Sequence, residues 1–273
     1  MARIEKALEI ERLERDIFRG ACTKTQLPRT FGGQVAGQAL VAAVRTVEPR
    51  FRVHSLHGYF LRPGNPQERT VYQVDRIRDG RSFCTRRVTG LQDGAAIFTM
   101  AASFHVGDHG PGHQDVMPEV MMPEELPDEI EQLEFDRPWA VREWEHWDIR
   151  TVPQEKVSRR DRVVSQQQVW FRYRHRLPDD PLVHVCTLAY MSDMTLLGSS
   201  KVNHPDEPTQ NASLDHAMWF LRPFRADEWL LYDQSSPSAD FGRALTGGKI
   251  FTRAGALVAA VIQEGLIRTW RES

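Results

Sequence analysis

Three small polar residues lie at the edges of apolar segments in the C-terminal third of this 273-residue chain. Asp193 follows a mostly apolar segment, Ser213 opens a strand-like segment, and Gln263 ends a long apolar run. Because these segments should pack together, we expect the three side chains to form one site. A carboxylate can accept a proton from water, and a hydroxyl and a carboxamide can fix that water by hydrogen bonds. The trio therefore suits hydrolysis by an activated water.

The same three placements also have structural explanations, and the residues alone leave both readings open. An Asp at a helix start, a Ser before a strand and a Gln at a strand end are all common. Other chemistries find less support in the sequence. It contains no Gly-x-Ser-x-Gly elbow, no cysteine in an evident Cys/His setting and no Gly-rich phosphate loop.

Asp215 and His216 are adjacent and resemble a catalytic pair. In a continuous strand, side chains alternate between the two faces, so Ser213 and Asp215 would share one face and Leu214 and His216 the other. We therefore expect Asp215 and His216 to be hydrogen-bonded separately, with a catalytic role as the alternative. His57, in another predicted strand, is a weaker candidate and is left out of the predicted catalytic set.

An internal duplication supplies the elements that position the site. Phe60–Pro63 recurs as Phe220–Pro223, and Asp93–Ala102 has an echo in Ala254–Gln263. The offset of about 160 residues indicates a duplicated domain and not a short repeat. Each copy is predicted to be a central helix followed by an antiparallel sheet.

The two copies differ at the positions of the candidate site. Under the repeat alignment, Ser213 corresponds to Val53 and Gln263 corresponds to Ala102. If these residues had a structural role that both copies share, both copies would be expected to carry polar residues at these positions. The polar set is therefore expected to belong to the second copy.

Periodicity predicts the elements of the first copy. Apolar spacing predicts a short charged helix over Ile4–Phe18 and a second helix over Phe31–Val44. Glycines in the second helix suggest that another backbone, such as a surrounding sheet, passes close to it. Four strands are predicted over residues 54–61, 70–76, 82–91 and 96–106, with a hairpin turn at Asp93-Gly94.

Composition excludes several classes of function. The net charge of −2 gives no bulk attraction to nucleic acid or to an anionic membrane, although local arginine clusters such as Arg86-Arg87 could still hold a phosphate group. Three widely spaced cysteines argue against a disulfide framework, so a cytoplasmic location is expected. No secretory signal, membrane span or peroxisomal Ser-Lys-Leu ending is evident.

Several motifs together carry a family resemblance across nearly the whole chain outside its centre. They are Phe31–Leu40, His54–Gly64, Asp79–Phe83, Tyr190–Asp193, Ser213–Phe220 and Gln263–Gly265. The sequence resembles the acyl-CoA thioesterase II family, the TesB-like double-hotdog enzymes. The resemblance implies an α+β double hotdog, in which two tandem helix-wrapped antiparallel sheets form one continuous sheet. It also implies hydrolysis of fatty acyl-CoA to free fatty acid and CoA.

Residue by residue, the family's catalytic Asp, Thr or Ser, and Gln fall on Asp193, Ser213 and Gln263. No cofactor or metal is expected, and a homodimer or homotetramer is expected by resemblance. The rim that binds the nucleotide end of CoA is guessed to include the arginines of the basic run Arg172–Arg176.

The predicted domains are an N-terminal hotdog over residues 1–106, an acidic Pro-rich linker over 107–160, and a C-terminal hotdog over 161–273 that carries the catalytic set.

Two alternatives to a thioesterase remain at this point. One is a hotdog hydratase or dehydratase, which would need a His paired with an Asp or Glu, and the other is a non-catalytic acyl-CoA binding protein.

Overall fold

The computed structural model describes residues 3–128 and 143–269, and the chain divides into two compact units. The first unit contains the chain up to His113 together with Pro178–Ser192 and Ala217–Phe220. The second unit contains Gln114–Leu177, Asp193–His216 and the chain from Leu221 onward. The predicted domain boundaries remain a prediction, and part of the predicted linker, including Trp139, lies outside the described residues.

Antiparallel strands dominate both units, as the predicted α+β class requires. The described helices include α1 (Ile4–Ala7), α2 (Gly32–Val44) and α3 (Pro181–Met191). The first six strands are β1 (Ile10–Glu14), β2 (Ile17–Gly20), β3 (Arg52–Phe60), β4 (Val71–Asp79), β5 (Phe83–Gln92) and β6 (Ala95–His105). The others are β7 (Trp147–Thr151), β8 (Ser165–Tyr173), β9 (Thr209–Ser213), β10 (Asp215–Phe220), β11 (Leu230–Asp240), β12 (Arg243–Thr252) and β13 (Leu257–Thr269). Within the described ranges, no helix is long and apolar enough to cross a membrane.

The first unit has the strand order β1-β2-β4-β5-β6-β3, and the four predicted strands are present as β3 to β6. The predicted helix over Ile4–Phe18 is wrong: only its first turn is helical, and β1 and β2 then form a hairpin. Asp16 makes the turn with a φ of 59°. Pairing of β2 with β4 satisfies backbone groups that a helix would have bonded internally.

The predicted hairpin turn between β5 and β6 is confirmed. Asp93 and Gly94 have φ angles of 46° and 71°. Positive φ at both central residues is the signature of a type I′ turn, whose twist matches that of the flanking strands. Asp-Gly supplies these angles at little steric cost.

Glycines in α2 allow a close approach, as predicted, but the neighbouring backbone is a helix and not the sheet. A Cβ atom on Gly33 would lie 2.1 Å from the carbonyl oxygen of Tyr190 in α3. A Cβ atom on Gly37 would lie 3.4 Å from the carbonyl oxygen of Cys186. The two helices therefore pack through the glycine face of α2.

The duplication is visible in hydrogen bonds at the ends of β3 and β10. The N–H of Leu61 donates to the carbonyl oxygen of Ile97 at 2.8 Å, and the N–H of Leu221 donates to that of Val258 at 2.8 Å. The guanidinium groups of the two repeated arginines make matching bonds: Arg62 donates to Ala96 O at 2.7 Å, and Arg222 donates to Leu257 O at 2.9 Å. The repeat thus preserves backbone geometry as well as sequence.

In the second unit, the strand order is β13-β12-β11-β8-β7, and β9 also pairs with β13. A segment from the predicted linker docks on this sheet. Gln114 donates to Gly255 O at 2.8 Å and accepts from the N–H of Leu257 at 3.2 Å. Met117, Val120 and Met121 pack against the core cluster around Trp170. This part of the linker is therefore held against the unit by specific contacts.

Replacing Gly33 by Ala is expected to destabilise the protein. The new methyl group would have to displace a backbone carbonyl, and overpacking of this kind costs about 1–3 kcal/mol, against about 1 kcal/mol that Ala gains over Gly in a helix. We expect the free energy of unfolding to fall by up to about 2 kcal/mol in urea titrations. The control is Gly198→Ala, whose Cβ would meet only Gln167 Oε1 at 3.5 Å. Equal stability of the two variants would contradict the close approach.

Candidate active site

The three predicted site residues meet at one carboxylate oxygen. Ser213 Oγ donates a hydrogen bond to Asp193 Oδ1 at 2.9 Å, and Gln263 Nε2 donates to the same oxygen at 2.8 Å. All three residues belong to the second unit. These two hydrogen bonds join Asp193 to residues that lie 20 and 70 positions away in the sequence. This grouping is the geometry that the sequence analysis expected.

The positions of Gln263 and Ser213 follow from strand pairing. Gln263 lies in β13, where burial alternates, so that Gln263 is fully buried while its neighbour Ile262 is 47% exposed. Its backbone is fixed on one side by Thr246 in β12, whose hydroxyl donates to Gln263 O at 2.9 Å. On the other side, Ser213 at the end of β9 pairs with Gly265 of β13. Sheet register therefore places the carboxamide and the hydroxyl side by side.

Asp193 lies after the end of α3 and not at a helix start. Asp180 is the N-cap of that helix, accepting from Leu182 N at 2.9 Å, while Ser192 is the C-cap. A carboxylate just beyond a helix C-terminus is electrostatically unfavourable, because the partial charge there is negative. Helix capping therefore does not explain Asp193, whereas the two donors from Ser213 and Gln263 offset part of the cost.

The strand-like segment predicted from Ser213 onward is interrupted at Leu214, so the run assumed for the alternation of faces is not continuous. Regular pairing stops there between β9 and β10, while Leu214 N–H donates to Glu264 O at 2.9 Å. His216 is 1% exposed and lies within electrostatic reach of Asp193, beside the Gln263 carboxamide. Sequence reasoning missed this residue as a neighbour of the site.

Asp215 has a separate role, as expected. Its Oδ1 accepts a hydrogen bond from the backbone N–H of Glu264 at 2.6 Å. The carboxylate therefore ties the start of β10 to β13, next to the interruption at Leu214, and does not pair with His216 as a local dyad.

Burial sets the protonation of the groups around Asp193. Burial lowers the pKa of His216 below its usual value of 6.5, and the nearby Asp193, Gln263 and Asp215 only partly oppose this change. Burial also raises the pKa of Tyr232 well above its usual value of 10, and the charge of Asp193 adds to the effect. His216 is thus a neutral imidazole and Tyr232 a neutral phenol near neutral pH.

The Gln263 carboxamide oxygen, Oε1, is a buried acceptor. No described residue donates to it at hydrogen-bond distance and angle. The contact with His216 is therefore looser than a full hydrogen bond. Buried acceptors of this kind are uncommon in native structures and call for a functional explanation. Oε1 can accept a hydrogen bond from a water molecule or from a substrate.

The arginines of the basic run each lie near a carboxylate, and their role at the nucleotide end of CoA stays a prediction. Arg172 donates to Asp148 at 2.6 Å, Arg174 donates to Asp128 at 2.6 Å, and Arg176 lies 3.9 Å from Asp227. Asp148 is shared by Arg172 and Arg174, and Asp128 also lies 3.2 Å from Arg150, so positive charge remains on the run.

His57, the weaker candidate, lies on an exposed part of β3 in the first unit. Its ring contacts that of Trp219 with the centroids 4.9 Å apart. A packing role accounts for this contact, in line with its omission from the predicted catalytic set.

The stability of the fold is expected to depend on pH through His216. Below its ordinary pKa of 6.5, the unfolded chain takes up a proton that the folded chain does not, so the free energy of unfolding falls as pH is lowered through this range. His216→Asn removes this dependence. We therefore expect the free energy of unfolding of the wild type to fall more than that of the variant when the pH is lowered from about 8 to about 5. Urea titrations at each pH measure both values. His109→Asn, which removes an exposed imidazole, is the control, and identical pH profiles for wild type and His216→Asn would contradict the assignment.

Comparison with known proteins finds similarity to acyl-CoA thioesterases in both halves of the chain. A family model described as acyl-CoA thioesterase matches residues 142–266, and one described as acyl-CoA thioesterase N-terminal domain matches residues 23–105. Acyl-coenzyme A thioesterase 8 from Homo sapiens is 39% identical over 282 residues, covering 97% of this chain and 88% of that protein.

Solved structures agree in fold. An acyl-CoA thioesterase II from Mycobacterium marinum is 58% identical with a TM-score of 0.88, and the match covers 98% of both chains. A protein with a hot dog fold from Alicyclobacillus acidocaldarius has a TM-score of 0.81 at 20% identity, covering 98% of both chains, which shows the fold alone. The predicted hotdog class is confirmed, and the chain belongs to the acyl-CoA thioesterase family.

Proposed function

We propose that this protein hydrolyses fatty acyl-CoA to free fatty acid and CoA, and that Asp193, Ser213 and Gln263 form its catalytic set. The observation that carries the assignment of these residues is the convergence of a hydroxyl and a carboxamide on one oxygen of the Asp193 carboxylate. Family membership supplies the reaction class. The geometry supports a mechanism in which water, and not a protein nucleophile, attacks the thioester.

In the proposed mechanism, Asp193 accepts a proton from the attacking water as its oxygen bonds to the thioester carbon. Ser213 and Gln263 hold the carboxylate in place by their hydrogen bonds, and Gln263 Oε1 accepts a hydrogen bond from the same water. Collapse of the tetrahedral intermediate breaks the carbon–sulfur bond, and the proton held by Asp193 passes to the departing thiolate. The products are the carboxylic acid and the free thiol of CoA.

Gln263 has a further donor that can act on the substrate. One N–H of its Nε2 binds Asp193, and the amide group carries a second N–H. We propose that this second N–H donates to the thioester carbonyl oxygen, where negative charge develops. A preorganised donor of this kind contributes about 3 kcal/mol to a transition state. The thioester is itself an activated acyl group, so modest assistance is sufficient.

The alternative of a hotdog hydratase gains one observation, the position of His216 near Asp193. A His with a carboxylate is the pair that such chemistry commonly uses. Because His216 is buried and kept neutral while the carboxylate is engaged by Ser213 and Gln263, hydrolysis remains the preferred function. Formation of a 3-hydroxyacyl-CoA from an enoyl-CoA would favour the hydratase instead.

The finer features of the protein are proposals by resemblance. They are a fatty acyl chain as the group released, a cytoplasmic location, and assembly as a homodimer or homotetramer. Release of CoA from a medium-chain and a long-chain acyl-CoA tests the first, and light scattering of the purified protein tests the last.

Replacing Asp193 by Asn is expected to abolish hydrolysis while keeping the size of the side chain. The amide cannot accept the proton, and loss of a positioned base lowers the rate by about 100- to 10,000-fold. The measurement is thiol release from acyl-CoA. Asp215→Asn is the matched control, because an amide oxygen can still accept from Glu264 N–H, and it should stay within about tenfold of wild type. Equal rates for wild type and Asp193→Asn would remove Asp193 from the mechanism.

The role of Ser213 is tested by a pair of substitutions. Ser213→Ala removes the hydrogen bond to Asp193, and we expect kcat to fall by about 100-fold, with a smaller change in KM. Ser213→Thr keeps the hydroxyl and should retain most of the activity. If the Ala and Thr variants behave alike, the methyl or its packing, and not the hydroxyl, determines the rate.

A further inference from the structure

A cavity in the first unit is lined by three arginines that come from separate elements. It has a volume of about 260 Å³ and is bordered by Arg12 of β1, Arg45 at the end of α2, Arg76 of β4, and by Asp16, Phe18 and Thr46. No member of the candidate active site belongs to it. Bringing three like charges to one small cavity is unfavourable unless an anion offsets them.

Among the residues that the structure describes, one of the three lining arginines has a carboxylate partner. Arg76 makes a bidentate pair with Asp16, with both bonds at 2.9 Å. Arg45 donates to Ile10 O at 2.6 Å and Arg12 donates to Glu14 O at 3.3 Å, both of which are backbone carbonyls. Within the described ranges, neither Arg12 nor Arg45 forms an ion pair. A cation at a helix C-terminus is favoured by the helix dipole, which explains Arg45 but not Arg12.

A fourth guanidinium lies beneath the cavity and adds to its charge. Arg86 is 1% exposed and donates to Thr46 Oγ1 at 2.9 Å and to Asp79 at 2.5 Å. Its other N–H groups are engaged by backbone carbonyls, so Arg86 contributes charge and not a free donor. Arg15 also lies 3.8 Å from Asp16, so guanidinium groups outnumber the carboxylates of Asp16 and Asp79 around the cavity.

We propose that this cavity, bordered by Arg12, Arg45 and Arg76, binds a phosphate group. The excess of positive charge favours a phosphate monoester, which carries a charge of about −1.5 to −2 at neutral pH. The planar fork of arginine fits phosphate oxygens in a bidentate manner. The cavity is below the range of about 300–1,000 Å³ that is typical of whole small-molecule sites, so it suits a phosphate head group and not a large ligand.

Asp16 competes with the phosphate for Arg76. Removing the charge of Asp16 should therefore strengthen phosphate binding. The carboxylate of Asp16 occupies the fork of Arg76, and the same arginine holds the pKa of Asp16 below its usual value, so that Asp16 stays ionised. Asp16→Asn removes one negative charge and releases Arg76. Asn tolerates the positive φ of 59° at this turn, so the hairpin is retained.

The experiment is calorimetric titration of the full-length protein with inorganic phosphate and, separately, with adenosine monophosphate. Saturable binding to the wild type is expected, and weaker binding at higher salt. Arg12→Gln and Arg45→Gln should each weaken it by about tenfold or more, because each removes a charge-assisted hydrogen bond to the phosphate. Asp16→Asn should strengthen it. Arg81→Gln removes an exposed arginine outside the cavity and is the control for net charge.

The two probes distinguish the sources of the phosphate. Binding of inorganic phosphate alone supports a site for the free ion, whereas comparable binding of adenosine monophosphate, with the same response to the variants, supports a phosphate ester on a larger ligand. No saturable binding of either probe would overturn the proposal, as would equal effects of Arg45→Gln and Arg81→Gln or weaker binding by Asp16→Asn. Thiol release should be unchanged in these variants, which confirms that they are folded.

Discussion

One carboxylate oxygen organises the candidate site, since Asp193 Oδ1 accepts hydrogen bonds from both Ser213 and Gln263. A half-buried carboxylate loses hydration, and charge-assisted hydrogen bonds are the interactions that compensate for this loss. The two donors come from β9 and β13, whose register is set by backbone pairing of residues 209–213 with residues 265–269. A shift of one residue in that register would move Gln263 to the other face of the sheet. The chemistry of the site thus depends on the sheet being paired in this register.

The duplicated architecture explains how such a site can exist in one half only. Strand endings at Phe60 and Phe220 are followed by the same backbone hydrogen bonds, so both copies build the same frame. Even the interruption at Leu214 has a counterpart, a register shift between Val53 and Ser55 in β3. In the first copy the positions of Ser213 and Gln263 hold Val53 and Ala102, which are both buried. The frame therefore does not require polar residues at these positions.

Sequence reasoning succeeded where local physics decides the outcome. The turn at Asp93-Gly94 follows from the ease with which these residues adopt positive φ. The grouping of the three site residues was predicted from the apolar segments that carry them, which were expected to pack together. Sequence reasoning failed where the structure of a segment is determined by the distant strand with which it pairs. The spacing of apolar residues from Ile4 to Phe18 is compatible with a helix, but the pairing of β2 with β4 selects a hairpin. The contact between α2 and α3 and the break at Leu214 likewise depend on distant segments, so neither could be found by reading the chain in order.

The polar groups of the site are also the features that the fold accommodates least well. Gln263 is fully buried with an acceptor that no described residue satisfies, and such a group costs about 1–3 kcal/mol. Asp193 follows a helix C-terminus, and His216 is buried in its neutral form beside it. The first copy shows that apolar residues fill the equivalent positions of Ser213 and Gln263 without these costs. A site that is expensive for stability and absent from the duplicate half is best explained by chemistry performed there, which is the physical argument for placing hydrolysis at Asp193.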